Sequence, residues 1–298
     1  MMNMLKKSSL ILIPLFLMVT FISGALGCTS QKEANIPIVL LTDFGSEDYR
    51  VSQVKGIIHN NNPEARLIDA SHSVPAFNIP TGAFILDIAA KEFPENVVFV
   101  GVIAPYTQLE TKYLVLTTNK NQIFVLPDNG LLTYVIKNMG IKTIYQITNQ
   151  KLFDKPIKEL AAERIQGKIG ALIASGYRPQ DVGTPLTNFE TLDIQEPAIA
   201  DNRLLGTIVY IDHFGNGITN ISEETVNEFG VKLGDTIQVK SQQAMISAKF
   251  GAIYTDVPQG KEIIFVNNNL GVVQLSINLG NFASTYGVKA GTKIEIEK

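Results

Sequence analysis

Two short segments hold side chains whose types and spacing could do chemistry. The first is Thr42-Asp43-Phe44-Gly45-Ser46-Glu47-Asp48, which directly follows an apolar run that reads as a strand, Ile36 to Leu41. In open α/β sheets ligands collect beyond the carboxyl ends of strands. Ionised carboxylates such as Asp43 and Asp48 only accept hydrogen bonds, which suits a ribose diol or a ligand amine. The same residues also suit a helix N-cap, where acids meet the positive end of the helix dipole, and the sequence leaves both readings open. The second segment is Ile211-Asp212-His213-Phe214-Gly215-Asn216. Asp212, Phe214 and Asn216 together could meet an amine, a planar ring and an amide edge, while an Asx turn around Gly215 is the competing reading. A third stretch, Pro127-Asp128-Asn129-Gly130-Leu131, reads as a turn from its composition.

Other chemistry is argued against by what the chain lacks. His59, His72 and His213 lie in separate segments without metal-ligand spacing, and a single cysteine cannot form an intramolecular disulfide or a thiolate cluster. Neither a P-loop nor a G-x-S-x-G elbow occurs. A formal charge of -3 offers no basic surface for nucleic acid, and 45% hydrophobic with 18% charged residues is the composition of a globular chain.

The elements that must position these residues alternate at first between strand and helix signals. Val51 to Ile58 has helical spacing, Arg66 to Ala70 is short and extended, and Ile79, Ala83, Leu86, Ala90 and Phe93 share one helical face. Val97 to Ile103 reads as a buried strand, followed by strands at Tyr113 to Thr117, Gln122 to Leu126 and Thr143 to Ile147, and a helix is predicted over Ile157 to Ser175, ending at Gly176. From Gly206 the segments become short, β-branched and closely spaced: Thr207 to Ile211, Thr236 to Val239, Met245 to Phe250, Ile263 to Val266, Val272 to Ile277 and Lys293 to Ile296. The expected fold is an α/β N-terminal domain with a central, mostly parallel sheet over 36–190, followed by an antiparallel β-barrel-like domain over 203–298.

Residues 1–27 read as a signal segment: Lys6 and Lys7, an apolar run from Leu10 to Ile22, then Ser23-Gly24-Ala25-Leu26-Gly27 before Cys28. The run is short of the roughly 20 residues of a spanning helix. Ending on a cysteine, the segment resembles the lipobox of bacterial lipoproteins, with Ala25 and Leu26 in exchanged order. That resemblance implies an exported protein lipidated on Cys28 and anchored to the membrane surface, with 28–35 as a tether. Loss of Lys6 and Lys7 leaves 23 basic against 28 acidic residues, a charge of -5.

Ile38 to Gly45, Lys55-Gly56, Asn62-Pro63-Glu64-Ala65 with Ile68-Asp69 and His72, Pro127 to Leu132, and Ile211-Asp212 with Phe214-Gly215-Asn216 and Thr219-Asn220 resemble, in order, the S-adenosylmethionine (SAM) hydroxide adenosyltransferases, relatives of the SAM-dependent fluorinase and chlorinase. The resemblance implies a homotrimer with a nucleoside-type ligand, adenosine or SAM rather than a resident cofactor, between the N-terminal domain of one subunit and the C-terminal domain of the next. It places Asp43 and Phe44 on the ribose side, Asp48 as a second acceptor in the same loop, Asp212, Phe214 and Asn216 at the amine and adenine, and Thr107 at a threonine of the halogenase branch.

The family's reacting groups are an Asp within D-P-G-V-G-T, an Arg seven residues later, and a His within F-H-G-R-D. Alignment puts Ala104, Thr111 and Ala161 at those positions. A positioned acid or base typically supplies about 10²- to 10⁴-fold, so the sequence predicts a membrane-anchored protein that binds adenosine or SAM without the family's water-activated hydrolysis. The alternative is an active SAM hydrolase, or a related nucleoside substitution, using Glu110, Lys112 or Glu163. Glu163 and Arg164 are otherwise expected to be an exposed helical charge pair.

Overall fold

The computed structural model describes residues 36–106 and 110–298, so the leader, Cys28, the tether and Thr107 lie outside the described residues. The first sheet comprises β1 (Ile38–Thr42), β2 (Leu67–Ser71), β3 (Val98–Val102), β4 (Tyr113–Thr117), β5 (Ile123–Pro127), β6 (Thr143–Ile147) and β7 (Gly183–Pro185), in the spatial order β2-β1-β3-β5-β4-β6-β7. β2, β1, β3 and β5 are parallel neighbours. β4, β6 and β7 continue the sheet antiparallel, because the turn between β4 and β5 is too short for a parallel crossover. Residues along β1 alternate between two cores. Ile38 and Leu40 pack with α1 (Tyr49–Asn61) and α4 (Ala162–Ala174), whereas Val39 and Leu41 pack with α2 (Ile79–Glu92) and α3 (Thr133–Met139). Burial on both faces explains why β1 and β3 are unbroken apolar runs rather than alternating ones.

The helix predicted from Ile157 starts later. Ile157–Glu159 forms a separate 3₁₀ turn, Leu160 and Ala161 are extended, and α4 begins at Ala162. The break lets the backbone N–H of Ala162, which has no partner inside its own helix, donate to the Tyr106 hydroxyl at 2.9 Å. α4 lies close on the sheet because Gly170 has no side chain: a Cβ there would come 2.4 Å from Val100 Cγ2 on β3.

Between Pro185 and Ala198 the chain passes to the second sheet, made of β8 (Ala198–Ala200), β9 (Arg203–Ile211), β10 (Gly217–Ser222), β11 (Thr236–Lys240), β12 (Met245–Phe250), β13 (Glu262–Asn267), β14 (Val272–Ile277) and β15 (Lys293–Glu297). Its order is β10-β14-β13-β12-β11-β15-β9-β8, and pairing of β9 with β10 closes seven of the strands into a barrel. All pairs are antiparallel except β12 with β13, which a 3₁₀ turn at Tyr254–Asp256 joins in parallel. The helices α5 (Glu223–Phe229) and α6 (Phe282–Tyr286) pack Val226 and Phe282 into the barrel core. The sequence reading missed β10. Its Thr219 is fully buried and donates to the Val273 carbonyl at 2.8 Å, so a polar residue here belongs to a strand interior. Among the described residues no helix is long and apolar enough to cross a membrane.

Gly170→Ala tests the seating of α4. Overpacking against Val100 costs about 1–3 kcal/mol, opposed by a helix-propensity gain of at most about 1 kcal/mol. The unfolding midpoint in denaturant is expected to fall; an unchanged or higher midpoint would show that the close approach has no structural cost.

Candidate functional site

The carboxyl ends of β1, β2, β3 and β5 are tied together by side chains from the loops that follow them. Asp43, the first residue after β1, places one oxygen, Oδ2, between two backbone donors: Phe77 N–H at 2.9 Å and Ala104 N–H at 3.1 Å. Both donors sit on non-glycine residues in the left-handed region, Phe77 at φ 63° and Ala104 at φ 41°. Such a conformation costs an L-residue roughly 1–2 kcal/mol, and the carboxylate offsets it by satisfying both amides with charge-assisted bonds. Asp43 Oδ1 makes no hydrogen bond with any described residue. Behind this contact, Thr42 Oγ1 meets His72 Nδ1 at 3.0 Å, and Gly45 N–H donates to the His72 carbonyl at 2.7 Å.

The stretch read as a plain turn is part of the same support. Asn129 is buried, and its Nδ2 donates to the carbonyls of Ile103 (3.0 Å) and Ala104 (3.2 Å), holding the loop after β3 from the other side. Gly130 follows at φ 93° with Leu192 3.0 Å from where a Cβ would stand, so only glycine fits.

Asp48 takes the capping role that the sequence left open. Its Oδ1 accepts from Arg50 N–H at 2.9 Å as the N-cap of α1, and the Arg50 guanidinium makes a two-pronged pair with it, 2.8 Å on each arm. The hydrogen bonds from Arg50 hold the Asp48 carboxyl down at about 2. Arg50 also lies over the Phe44 ring, 4.8 Å from its centroid, so Phe44, Asp48 and Arg50 form one unit beside Asp43.

In the barrel, Asp212 does form the Asx turn. Its Oδ1 accepts from Phe214 N–H (2.9 Å) and Asn216 N–H (2.8 Å), and Oδ2 accepts from Asn216 Nδ2 at 2.7 Å. Asn216 is buried and also donates to the Tyr254 hydroxyl at 3.3 Å. The turn presents Phe214 to the outside, 72% exposed. No hydrogen bond or ion pair among the described residues joins the Asp43 cluster to the Asp212 cluster. A cavity of about 200 Å³ lies elsewhere, between α2, α3 and the barrel, lined by Phe84, Tyr134, Asn220 and Leu270.

Of the three positions expected to be vacated, Ala104 touches the Asp43 carboxylate through its N–H and is buried, and Ala161 caps α4 next to the amide held by Tyr106. Thr111 lies at the start of β4's approach, partly exposed. The expectation of an exposed Glu163–Arg164 pair is overturned. Arg164 is exposed, but Glu163 is only 9% accessible, because the N-terminus of α4 is tucked under the loop carrying Tyr106. Sequence reasoning also passed over Tyr106 and Gln166, whose positions become meaningful only once α4 is placed against β3 and the loop that follows it. Among the described residues no group of His, Cys, Asp and Glu is arranged to hold a metal.

Residues 38–183 match the family model for the SAM hydroxide adenosyltransferase N-terminal domain, and residues 206–295 match the model for its C-terminal domain. The chain belongs to the SAM hydroxide adenosyltransferase family. It is 32% identical over 270 residues to the (R)-S-adenosyl-L-methionine hydrolase of Methanocaldococcus jannaschii, covering 87% of this chain and 95% of that protein. It is 25% identical over 291 residues to a fluorinase of Actinoplanes sp., covering 88% and 97%. The crystal structure of an uncharacterized conserved protein from Thermotoga maritima superposes with a TM-score of 0.82 at 30% identity, covering 88% of this chain and all of that one. The TDFG segment that marks this family member is thus a structural brace as well as a candidate ligand contact.

Two measurements check this geometry. Asp43→Ala removes both charge-assisted bonds and is expected to lower the unfolding free energy by about 2 kcal/mol, with Asp43→Asn recovering part of it through its remaining acceptor; equal stability of all three proteins would refute the bracing role. The Asp48 carboxyl is lowered on folding, so its contribution is present above about pH 4 and is lost as pH falls toward 2. The stability difference between the parent and Asp48→Asn should therefore shrink across that window in denaturant titrations, and a difference constant with pH would contradict the ion pair.

Proposed function

We propose that this chain binds an adenosine- or SAM-type ligand as an exported lipoprotein held at a membrane through Cys28, and that it assembles as a homotrimer whose ligand lies between the α/β domain of one subunit and the barrel of the next. Hydrolysis through the family's Asp, Arg and His is closed to it, since alanine or threonine stands at each aligned position. The observation that carries the reading is Asp43: one carboxylate oxygen is committed to the protein and the other is free to accept a ribose hydroxyl. Two further features support it. Phe77, beside Asp43, and Phe214, on the barrel turn, are both largely exposed in the single chain, which suits aromatic faces that close on a planar ring only when two subunits meet. The Methanocaldococcus jannaschii relative is, by name, a hydrolase of S-adenosyl-L-methionine.

A second reading is substitution at SAM by residues outside the family set. One observation favours Glu163 over Glu110 and Lys112 for this: Glu163 is buried, whereas the other two are exposed.

Titration calorimetry of the detergent-purified protein with adenosine and SAM is expected to give saturable binding, with one ligand per subunit and a trimeric mass by sedimentation. Asp43→Asn should weaken binding at least tenfold, about 1.4 kcal/mol. Absence of heat at millimolar adenosine and SAM would defeat the ligand reading, and a monomeric mass would defeat the shared site.

A further inference from the structure

His72, which follows β2, grips the chain on both sides of Asp43. Its carbonyl accepts from Gly45 N–H at 2.7 Å, and its ring Nδ1 meets Thr42 Oγ1 at 3.0 Å. Thr42 is fully buried and the His72 side chain is 9% exposed, so the ring contact is shut off from bulk water. Thr42 Oγ1 also lies 3.5 Å from the N–H of Phe44, a long contact in which the hydroxyl oxygen accepts. The carboxylate that carries the ligand reading therefore stands on a segment, Thr42 to Gly45, that one residue holds at both ends.

On its other side the ring faces a charge. Nε2 lies 3.1 Å from Asp69 Oδ1 on β2, a charge contact without hydrogen-bond alignment, and Asp69 Oδ2 takes Lys55 Nζ of α1 at 2.7 Å. Burial works against the Asp69 charge, but Lys55 and His72 outweigh it and hold the carboxyl below its ordinary value. Asp69 from β2, itself paired with Lys55 of α1, is thus the charged group against the ring, and β1 offers it only the uncharged Thr42. A nitrogen lone pair aimed at a carboxylate is repelled and an N–H is attracted, so the neutral ring carries its proton on Nε2. Nδ1 is then an acceptor. The Thr42 hydroxyl donates to it, and the Thr42 oxygen keeps its lone pairs for Phe44 N–H. A second ring proton reverses the Nδ1 bond. Thr42 Oγ1 then meets two N–H donors at once, and its own buried proton loses the acceptor it had, which is the arrangement folded proteins avoid.

We propose that His72 is a positioning residue for the ligand oxygen of Asp43: its neutral ring sets the Thr42 hydroxyl, and with it the segment Thr42 to Gly45, and a second proton on the ring loosens that segment and weakens the ligand. The inference rests on the adenosyl-ligand reading given above. It adds to that reading a control of the same site by protons, exerted through a ring behind the carboxylate.

The test uses the full-length protein in detergent, with adenosine binding followed by calorimetry between pH 5 and 8, the span in which histidine is the side chain that ordinarily changes charge. The parent is expected to bind about tenfold more weakly at pH 5 than at pH 8. His59→Gln, altered at an exposed position on α1, should follow the parent's profile. His72→Asn places an amide, which takes up no proton, where Nδ1 stood, and its affinity should be level across the range. Thr42→Val removes the hydroxyl and should both weaken binding at pH 8 and lose the pH dependence, while Thr42→Ser, which keeps a hydroxyl, should recover both. If His72→Asn or Thr42→Val does not fold, Asp69→Asn, at a side chain 42% exposed, must move the midpoint of the profile to lower pH, since no carboxylate then draws the proton to the ring. A parent affinity level with pH, a His72→Asn profile that follows the parent's, or a midpoint unmoved in Asp69→Asn overturns the inference while leaving the ligand reading intact. No adenosine binding in the parent at any pH overturns both.

Discussion

One carboxylate oxygen organises the face of the sheet where the candidate site lies. Asp43 Oδ2 receives the amides of Phe77 and Ala104, the two residues that carry the loops after β2 and β3 through left-handed turns. Each turn is unfavourable alone for a residue with a Cβ, and the shared acceptor makes each depend on the other. Asn129, arriving from β5, closes the arrangement by holding the carbonyls on the opposite side of the same loop. Four neighbouring parallel strands are thereby joined at their carboxyl ends by two side chains, and the free half of the Asp43 carboxylate is left fixed in position, as a preorganised binding group must be.

The barrel plays a different part. It closes on itself through β9 and β10, so its strands leave few open edges, and the Asp212–Asn216 turn is held by three donors that share one carboxylate and by Gly215 N–H on the Asp212 carbonyl. A rigid turn bearing an exposed phenylalanine is a surface fixed in place before anything binds to it. Preorganisation of this kind reduces the ordering cost of association, which suits a barrel that presents its turn to another surface rather than enclosing a ligand by itself.

Much of this architecture was legible in the sequence, because fully buried strands must be apolar on both faces and β1 and β3 announce themselves that way. The switch from alternating helix and strand to short β segments marked the second sheet equally well. Less legible were features set by tertiary contact. β10 carries Thr219 and Asn220 and so lacks a strand's apolar signature, although Thr219 is satisfied by a carbonyl of β14. The break before α4 depends on a hydroxyl 56 residues earlier in the chain. Glu163 looked like half of a solvated charge pair because helical periodicity says which residues share a face, not what covers that face. Asn129 looked like turn punctuation because its role lies in a loop on another strand. For Asp48 and Asp212 the sequence offered two uses, and the cap and the Asx turn are the local ones; Asp43 alone keeps an oxygen beyond local need.

Ala104 has a further consequence. At φ 41° it occupies backbone space that alanine tolerates poorly and that short polar residues such as aspartate and asparagine adopt more readily. The main chain there has a shape poorly matched to an alanine side chain, held by Asp43 on one side and Asn129 on the other. A short acid at this point would meet a backbone already set for it, so the side chain facing the Asp43 carboxylate's partner loop could change its chemistry without the loop having to refold.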